Sequence, residues 1–185
     1  MGSKWQAQLP MVATYFRIAI TPVLVTVLFY NHPWSGWVAA ILFVVGSWTD
    51  WLDGFWARKF NAQSVMGQLM DPIADKILVL GALVMLLYQQ KVDPFMVLLL
   101  ISRDIFIGGI RSVAASNNVI IAAKPFGKWK TAIQMLAIPC ICLFSKDNYS
   151  QFYHFGYDLL WVSVILSMIS GVQYTYGYYR GRKSS

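Results

Sequence analysis

The sequence predicts an all-α membrane protein with six transmembrane helices. Hydrophobic residues make up 57% of the 185 residues and charged residues only 12%. Soluble domains carry about 25% charged residues, so this composition indicates a chain immersed in lipid. The apolar runs are continuous instead of alternating, which is typical of spanning helices and not of barrel strands. We therefore expect a single integral-membrane domain over residues 1–185.

Six apolar segments have lengths near the roughly 20 residues that a helix needs to cross a bilayer. In chain order they cover residues 12–30, 36–57, 72–90, 94–116, 129–145 and 155–178. The more polar stretch 3–11 precedes the first segment and is expected to form a short interfacial helix. The connections between segments are short, so they leave no room for a soluble domain.

Basic residues predict the orientation, because lysine and arginine are enriched in cytoplasmic loops. One set of segment ends carries nine of them, and the opposite set carries only Lys91 and Lys146. The nine are Lys4, Arg58, Lys59, Lys124, Lys128, Lys130, Arg180, Arg182 and Lys183. This asymmetry places both termini in the cytoplasm. The net charge of +7 then reflects orientation and attraction to anionic headgroups, and no nucleic-acid partner is expected.

Four aspartates are concentrated in one short window, although the chain has only eight acidic residues. Asp50 and Asp53 lie three positions apart near the end of the second segment, and Asp71 and Asp75 lie four apart at the start of the third. Residues at these spacings share a helix face, so two neighbouring helix ends can bring four carboxylates together. Carboxylate oxygens suit Mg²⁺ or Mn²⁺, and two-metal sites commonly serve phosphoryl chemistry.

The aspartate cluster is also compatible with three roles other than phosphoryl transfer. A purely structural role is a set of buried salt bridges, with partners among Arg58, Lys76, Arg103 and Arg111. An intramembrane prenyl-transferring enzyme also uses aspartates with Mg²⁺, but the usual spacing of its aspartates differs from the spacing found here. A non-enzymatic membrane transporter would place polar residues through both leaflets, whereas the ionisable residues here crowd the cytoplasmic half.

The aspartate window also resembles a family signature. The pattern D-x2-D-G-x2-A-R-x8-G-x3-D-x3-D is that of the CDP-alcohol phosphotransferases, and this chain matches every fixed position. The matching residues are Asp50, Asp53, Gly54, Ala57, Arg58, Gly67, Asp71 and Asp75. The chain is on this ground identified as a member of that family. The resemblance implies a metal-dependent transferase with two divalent cations, Mg²⁺ or Mn²⁺, held by the four aspartates.

The resemblance also implies roles for single residues. Asp75 would be the catalytic base toward the acceptor hydroxyl as well as a metal ligand. The residues expected to contact the CDP-lipid in this window are Gly54, Ala57, Arg58, Ser64 and Gly67. The first segment opens P-M-V-A-T-Y-F-R over residues 10–17, which is similar to the start of the family's first span. That likeness adds Thr14 to the CDP-lipid set.

Basic residues inside the segments indicate a second anionic group, because ionisable residues within spans are functional candidates. The intramembrane cations are Arg17, Lys76, Arg103 and Arg111, and Lys128 and Lys130 enter from the cytoplasmic side. A phosphorylated acceptor fits this set better than a neutral alcohol. The expected ligands of its phosphate are Arg103, Arg111, Lys128 and Lys130. A plainer alternative pairs Arg111 with Asp104 and lets the two lysines set topology only.

Three further stretches narrow the resemblance. LMDPIADKILVL, ISRDIFIGGIRS and GKWKTAIQM, residues 69–80, 101–112 and 127–135, are similar to bacterial family members that make phosphatidylglycerol phosphate. This likeness implies transfer of a phosphatidyl group from CDP-diacylglycerol to glycerol 3-phosphate with release of CMP, in phospholipid biosynthesis. It further implies a homodimer in the bacterial cytoplasmic (inner) membrane, with the active site facing the cytoplasm. Inositol phosphate, serine and phosphatidylglycerol stay open as alternative acceptors.

Overall fold

The computed structural model describes residues 4–30, 32–60, 65–116, 125–144 and 150–182, with side chains over 14–30, 32–49, 73–114, 127–144 and 151–177. Within these residues the fold is a bundle of six α-helices. They are α1 (Lys4–Phe29), α2 (Ser35–Phe60), α3 (Val65–Tyr88), α4 (Pro94–Ser116), α5 (Pro125–Leu143) and α6 (Ser150–Arg182). The all-helical prediction is confirmed, and each predicted segment overlaps one of these helices.

The N-terminal part of α1 differs from its prediction. The sequence predicts a separate interfacial helix over 3–11, but α1 runs without a break from Lys4 to Phe29 through Pro10 and Pro22. A proline removes one backbone donor, and no glycine lies in this stretch to end the helix. The helix therefore continues, and the expectation of a separate first helix is wrong.

The core of the bundle is built from aliphatic and aromatic side chains of every helix. α1 packs along both α2 and α3, α5 pairs extensively with α6, α2 lies against α5, and α4 lies against α6. Representative core residues, one from each helix in order, are Leu24, Phe43, Leu78, Leu100, Ile138 and Leu160. α3 also touches α4 and α5, so Arg103 and Lys130 lie among α3, α4, α5 and α6.

Two glycines allow helices to approach α5 closely. A Cβ atom at Gly36 would collide with the carbonyl oxygen of Cys142, which is backbone and cannot swing aside. A Cβ atom at Gly156 would lie 2.9 Å from Cβ of Cys140 and 3.3 Å from the carbonyl oxygen of Ala137. Small residues at such contacts let two helices pack backbone against backbone.

The turn between α3 and α4 is fixed by helix capping. Gln90 has a φ of 57°, and the amides of Gln90 and Lys91 donate to the carbonyls of Leu87 and Leu86 at 2.9 Å each. These bonds form a Schellman cap at the end of α3. Asp93 Oδ1 then accepts a hydrogen bond of 2.7 Å from the backbone amide two residues later and caps the start of α4. The turn thus fixes where α4 begins relative to α3.

The bundle exposes apolar side chains and buries polar ones. Large hydrophobic residues are exposed on all six helices, for example Val23, Ile41, Ile77, Ile105, Leu136 and Ile165. The buried polar residues include Thr14, Arg17, Ser47, Lys130, Gln134, Ser163, Ser167 and Ser170. Of the described helices, α6 contains a stretch, Gln151–Gly177, that is long and apolar enough to cross a membrane. Thr14–Phe29 and Ser35–Thr49 are shorter apolar stretches.

Candidate active site

The four aspartates lie where the end of α2 meets the start of α3. Asp50 and Asp53 are in the last three turns of α2, and Asp71 and Asp75 are in the first three turns of α3. The two helices are in contact, and residues 61–64 between them can span at most about 18 Å. The backbone therefore brings both aspartate pairs to the same end of the bundle.

The side chain of Asp75 is half-buried in this region, whereas those of Asp50, Asp53 and Asp71 fall outside the described residues. Convergence of the four carboxylates therefore stays a prediction. Both pairs do lie on helical backbone, where spacings of three and four positions place side chains on one face. An all-oxygen set of carboxylates is the chemistry that Mg²⁺ and Mn²⁺ prefer, so the donor set fits a pair of divalent cations.

All but one of the residues expected to contact the CDP-lipid are distributed over three helices. Thr14 is buried in α1, with 3% of its surface exposed. α2 carries Gly54, Ala57 and Arg58, and α3 carries Gly67. Ser64 and the side chain of Arg58 lie outside the described residues. The backbone places Gly54 and Ala57 one turn beyond the α2 aspartates, on the face that these aspartates define.

Arg17 is the largest fully buried side chain described, with 0% of its surface exposed. Its helix, α1, packs along α3, which carries Asp75. The carbonyl oxygen of Arg17 accepts a hydrogen bond of 2.8 Å from Oγ1 of Thr21. Arg17 was predicted to be a cation inside an apolar segment, and its side chain lies in the interior of the bundle.

Arg103 and Lys130 meet at the carboxylate of Asp104. Arg103 Nη1 donates to Asp104 Oδ1 at 3.0 Å. Lys130 Nζ donates to Oδ1 at 2.9 Å and to Oδ2 at 2.6 Å. Lys76 Nζ donates to the backbone carbonyl of Asp104 at 3.0 Å, so one acidic residue joins α3, α4 and α5. Lys130 is only 5% exposed, and Asp104 supplies the countercharge that a buried ammonium requires.

The remainder of the Arg103 guanidinium is held by α6. Arg103 Nε donates to the carbonyl oxygen of Ser167 at 2.9 Å, and Nη2 donates to Oγ of Ser170. A Cβ at Gly171 would lie 3.5 Å from Arg103 Cγ, an ordinary van der Waals contact, so α6 packs directly against the stem of the arginine. Three of the five N–H donors of this arginine are therefore used within the bundle, and its orientation is fixed by both α4 and α6.

Arg111, two turns further along α4, contacts a different part of α6. Its Nη2 donates to the hydroxyl of Tyr174 at 2.7 Å, and its Cζ lies 4.7 Å from the centroid of the Tyr174 ring. A hydrogen bond and a cation–π contact thus hold the same guanidinium. The side chains of Arg111 and Lys128 are both exposed, so these two cations are open to a soluble ligand.

The possible pairing of Arg111 with Asp104 is contradicted among the described side chains. Asp104 is bonded by Arg103 and Lys130, and Arg111 is bonded by Tyr174. Seven positions separate Arg111 from Asp104 by about 10 Å along the helix. Partners on α5 and α6 are nearer to each group than they are to one another, so tertiary contacts decide the pairing.

Four polar residues of α6 contact the basic residues of α4 and α5, and they were not predicted from the sequence. Ser163, Ser167, Ser170 and Tyr174 are all buried and follow one another at intervals of four, three and four positions. We call these four residues the polar face of α6. That spacing of polar residues in an apolar helix is the signal that could have revealed them, since it is the period of one helix face.

The chain belongs to the CDP-alcohol phosphatidyltransferase family, whose family model matches residues 7–169. The match includes the aspartate window, the cations of α4 and α5, and most of α6. The family assignment made from the eight-position pattern is thereby confirmed.

Individual relatives carry one enzyme name, CDP-diacylglycerol--glycerol-3-phosphate 3-phosphatidyltransferase. The Rickettsia bellii (strain RML369-C) protein is 36% identical over 172 residues, covering 92% of this chain and 95% of the relative. The Bacillus subtilis (strain 168) protein is 33% identical over 178 residues, covering 90% and 92%. The second such enzyme of Arabidopsis thaliana is 34% identical over 180 residues, covering 90% and 77%.

Proposed function

We propose that this protein transfers a phosphatidyl group from CDP-diacylglycerol to glycerol 3-phosphate, yielding phosphatidylglycerol phosphate and CMP. The observation that carries this proposal is the likeness, over about nine-tenths of the chain, to relatives named for that reaction. The complete aspartate pattern on α2 and α3 supports it. So does the group of basic residues on α4 and α5.

Asp75 is the proposed general base. It takes the proton from the C1 hydroxyl of glycerol 3-phosphate as that oxygen attacks the lipid-side phosphorus of CDP-diacylglycerol. The bond from this phosphorus to the bridging oxygen breaks, and CMP leaves with that oxygen. Aspartate carboxylates, with an ordinary pKa near 3.9, are weak bases, so positioning of the two reactants supplies much of the rate.

Asp50, Asp53, Asp71 and Asp75 are the residues that would hold two divalent cations, Mg²⁺ or Mn²⁺. Such cations, when bound, neutralise phosphate oxygens and make the acceptor hydroxyl more acidic. Arg58 is proposed to contact the diphosphate, and the small Gly54 and Ala57 leave space for the nucleotide against α2. Thr14, Ser64 and Gly67 complete the proposed CDP-lipid site.

The acceptor phosphate is proposed to bind among the basic residues of α4 and α5. Arg111 and Lys128 are exposed and can meet a ligand that arrives from water. Arg103 and Lys130 lie deeper and are held by Asp104. Arginine offers a planar fork to phosphate and lysine a point charge, so the four residues can neutralise and orient the dianion of glycerol 3-phosphate.

The six helices are proposed to span the bacterial cytoplasmic membrane. Exposed apolar side chains on every helix and a buried set of serines and charged groups support this, because such a bundle satisfies its polar groups internally. The asymmetry of basic residues supports a cytoplasmic location for both termini and for the active site. A homodimer is proposed from the family resemblance alone.

The proposal is tested by CMP release from CDP-diacylglycerol by the purified protein in detergent with Mg²⁺ or Mn²⁺. Glycerol 3-phosphate, serine, inositol, inositol phosphate and phosphatidylglycerol are offered singly. We expect release only with glycerol 3-phosphate, complete dependence on metal, and at least a roughly 100-fold loss in Asp75→Asn. The control is Asp158→Asn, which removes an exposed carboxylate of α6.

Release with another acceptor would preserve the role of the aspartates and refute the assignment of glycerol 3-phosphate. CMP release by Asp75→Asn at the wild-type rate would refute the proposed base. A protein that binds no CMP in the presence of metal and transfers nothing would favour the transporter alternative.

A further inference from the structure

The polar face of α6 runs beside the proposed acceptor-binding cations. At about 100° per residue, Ser163, Ser167, Ser170 and Tyr174 fall within an arc of about 60° and extend along about 16 Å of the helix. α6 packs against both α4 and α5, which carry these cations. The face therefore points toward α4 and α5, where Arg103, Arg111 and Lys130 lie.

Each residue of the polar face is hydrogen-bonded to one of those three residues, and in the case of Ser163 and Ser167 the bond involves a backbone carbonyl. Ser163 Oγ donates to the carbonyl oxygen of Lys130 at 3.3 Å. The carbonyl of Ser167 accepts from Arg103 at 2.9 Å, and the hydroxyl of Ser170 accepts from the same guanidinium. The fourth contact is the bond of 2.7 Å from Arg111 to the hydroxyl of Tyr174.

The hydrogen bonding of Ser170 is directional. Its hydroxyl donates to the carbonyl oxygen of Ser167 at 3.0 Å, which leaves its oxygen lone pairs to accept from Arg103 Nη2. Since Ser170 is fully buried, water does not compete for this arrangement. The serine thus sets the plane of the guanidinium, which is the property that decides how an arginine meets a phosphate.

We propose that Ser170 and Tyr174 are positioning residues that hold Arg103 and Arg111 in the orientation that binds the acceptor phosphate. This inference rests on the proposed function and adds α6 to its acceptor site. Long arginine side chains lose rotamer freedom when they bind a ligand, and a guanidinium that is already fixed loses less. The two hydroxyls therefore act on the affinity for the acceptor, through the arginines.

A merely structural role predicts something different. If the two hydroxyls only held α4 against α6, their removal would lower thermal stability and impair both substrates equally. Positioning of the acceptor cations instead predicts a selective rise in the KM for glycerol 3-phosphate. The KM for CDP-diacylglycerol would stay unchanged, because its proposed ligands are on α1, α2 and α3 and at Ser64, and none is on α4 or α6.

The test compares Ser170→Ala and Tyr174→Phe with the wild type in the CMP-release assay. Tyr174→Phe removes the hydroxyl and keeps the ring under Arg111. We expect each variant to raise the KM for glycerol 3-phosphate about five- to tenfold, as suits loss of one charge-assisted hydrogen bond. Ser170→Thr, which retains a hydroxyl, should restore most of the affinity.

The matched control is Thr175→Val, one position beyond Tyr174. Thr175 Oγ1 donates at 3.0 Å to the carbonyl of Gly171 in its own helix, so its loss should leave both KM values unchanged. A KM for glycerol 3-phosphate that is unchanged in Ser170→Ala and Tyr174→Phe would overturn the inference. An equal rise in both KM values would overturn it too.

Binding of glycerol 3-phosphate, measured as a shift of the thermal midpoint in detergent, separates this inference from the proposed function. A wild type that binds glycerol 3-phosphate more tightly than Ser170→Ala but releases no CMP would refute the proposed reaction and support the positioning role. Equal binding by wild type and Ser170→Ala, with or without CMP release, would refute the positioning role.

Discussion

Lys130 Nζ lies 2.6 Å and 2.9 Å from the two carboxylate oxygens of Asp104, although 26 positions separate the residues in sequence. The lysine is on α5 and the aspartate on α4, so this ion pair joins two helices. A buried lysine that is bonded by both oxygens of a carboxylate is sensitive to the loss of that carboxylate, because the remaining charge cannot reach water.

Asp104→Asn is expected to lower the free energy of unfolding by about 3 kcal/mol, since it leaves Lys130 buried without its countercharge. The double variant Asp104→Asn/Lys130→Met removes both charges and should recover at least about 1 kcal/mol of that loss. The wild type, both single variants and the double variant are unfolded thermally in detergent. Their differences in unfolding free energy give the interaction energy between Asp104 and Lys130. Strictly additive effects would show that the ion pair contributes nothing to stability.

Asp71→Asn is expected to raise the Mg²⁺ or Mn²⁺ concentration for half-maximal CMP release about tenfold or more. Changes to groups that only support metal ligands already cost about 10- to 100-fold in metal affinity, and Asp71 is a proposed ligand. A titration of metal against activity measures the effect, with Asp158→Asn as the exposed control. An unchanged metal requirement in Asp71→Asn would remove this aspartate from the proposed metal site.

Gly36→Ala is expected to destabilise the bundle by about 1–3 kcal/mol, because the added methyl would press on a backbone carbonyl of α5. Gly109→Ala is the matched control, since a Cβ at Gly109 has no described atom within 4 Å. The control should be neutral or slightly stabilising, as alanine favours helix over glycine. The measurement is the thermal midpoint of each variant. Equal midpoints for Gly36→Ala and Gly109→Ala would contradict the close approach of α2 to α5.

Lys91, in the turn between α3 and α4, gives the protein a predictable response to alkaline pH. Burial lowers the pKa of Lys91 below its ordinary value of 10.5, and its Coulomb interaction with Cys142 opposes this shift. Between the lowered pKa and 10.5 the unfolded chain binds more protons than the folded one, so the contribution of Lys91 to stability rises with pH in that window.

The matching experiment follows the thermal midpoints of the wild type and Lys91→Met from about pH 7 to about pH 10.5. We expect the wild type to gain stability relative to the variant as the pH rises, because its buried ammonium loses a proton. Other titrating groups are common to both proteins and cancel in the difference. A difference that stays flat or falls with pH would contradict the lowered pKa.

The helices were largely predictable, because the length of an apolar run and its turn residues are local properties. The fourth segment was predicted to begin at Pro94, and α4 begins there, whereas α3 ends at Tyr88, two residues before the predicted end of the third segment. The extension of α1 back to Lys4 was not predicted. A polar, proline-containing stretch is compatible with either a separate interfacial helix or a continuation, and packing decides between them.

The candidate site was predictable only in part, for a related reason. The aspartate pattern is local to two helix ends, so spacing alone placed its four residues at one end of the bundle. The ion-pair partners of Asp104 are the neighbouring Arg103 and Lys130 on α5. The pairing with Lys130 could not be predicted, because no helical periodicity links α4 to α5. The serines of α6 were overlooked because a serine within an apolar helix equally well bonds to its own backbone.

The dependence of the basic residues on α6 also has a consequence for biosynthesis. Ser170 follows Asp75 by 95 positions, so at about 5–20 residues per second a ribosome adds it about 5–20 s later. During that interval α2 and α3 already carry the aspartates, whereas Arg103 lacks the acceptors that Ser167 and Ser170 provide. On the proposed assignment, the nascent chain therefore carries its CDP-lipid residues before its acceptor-binding residues are held in place, and the synthesis of α6 sets when the two groups of residues can work together.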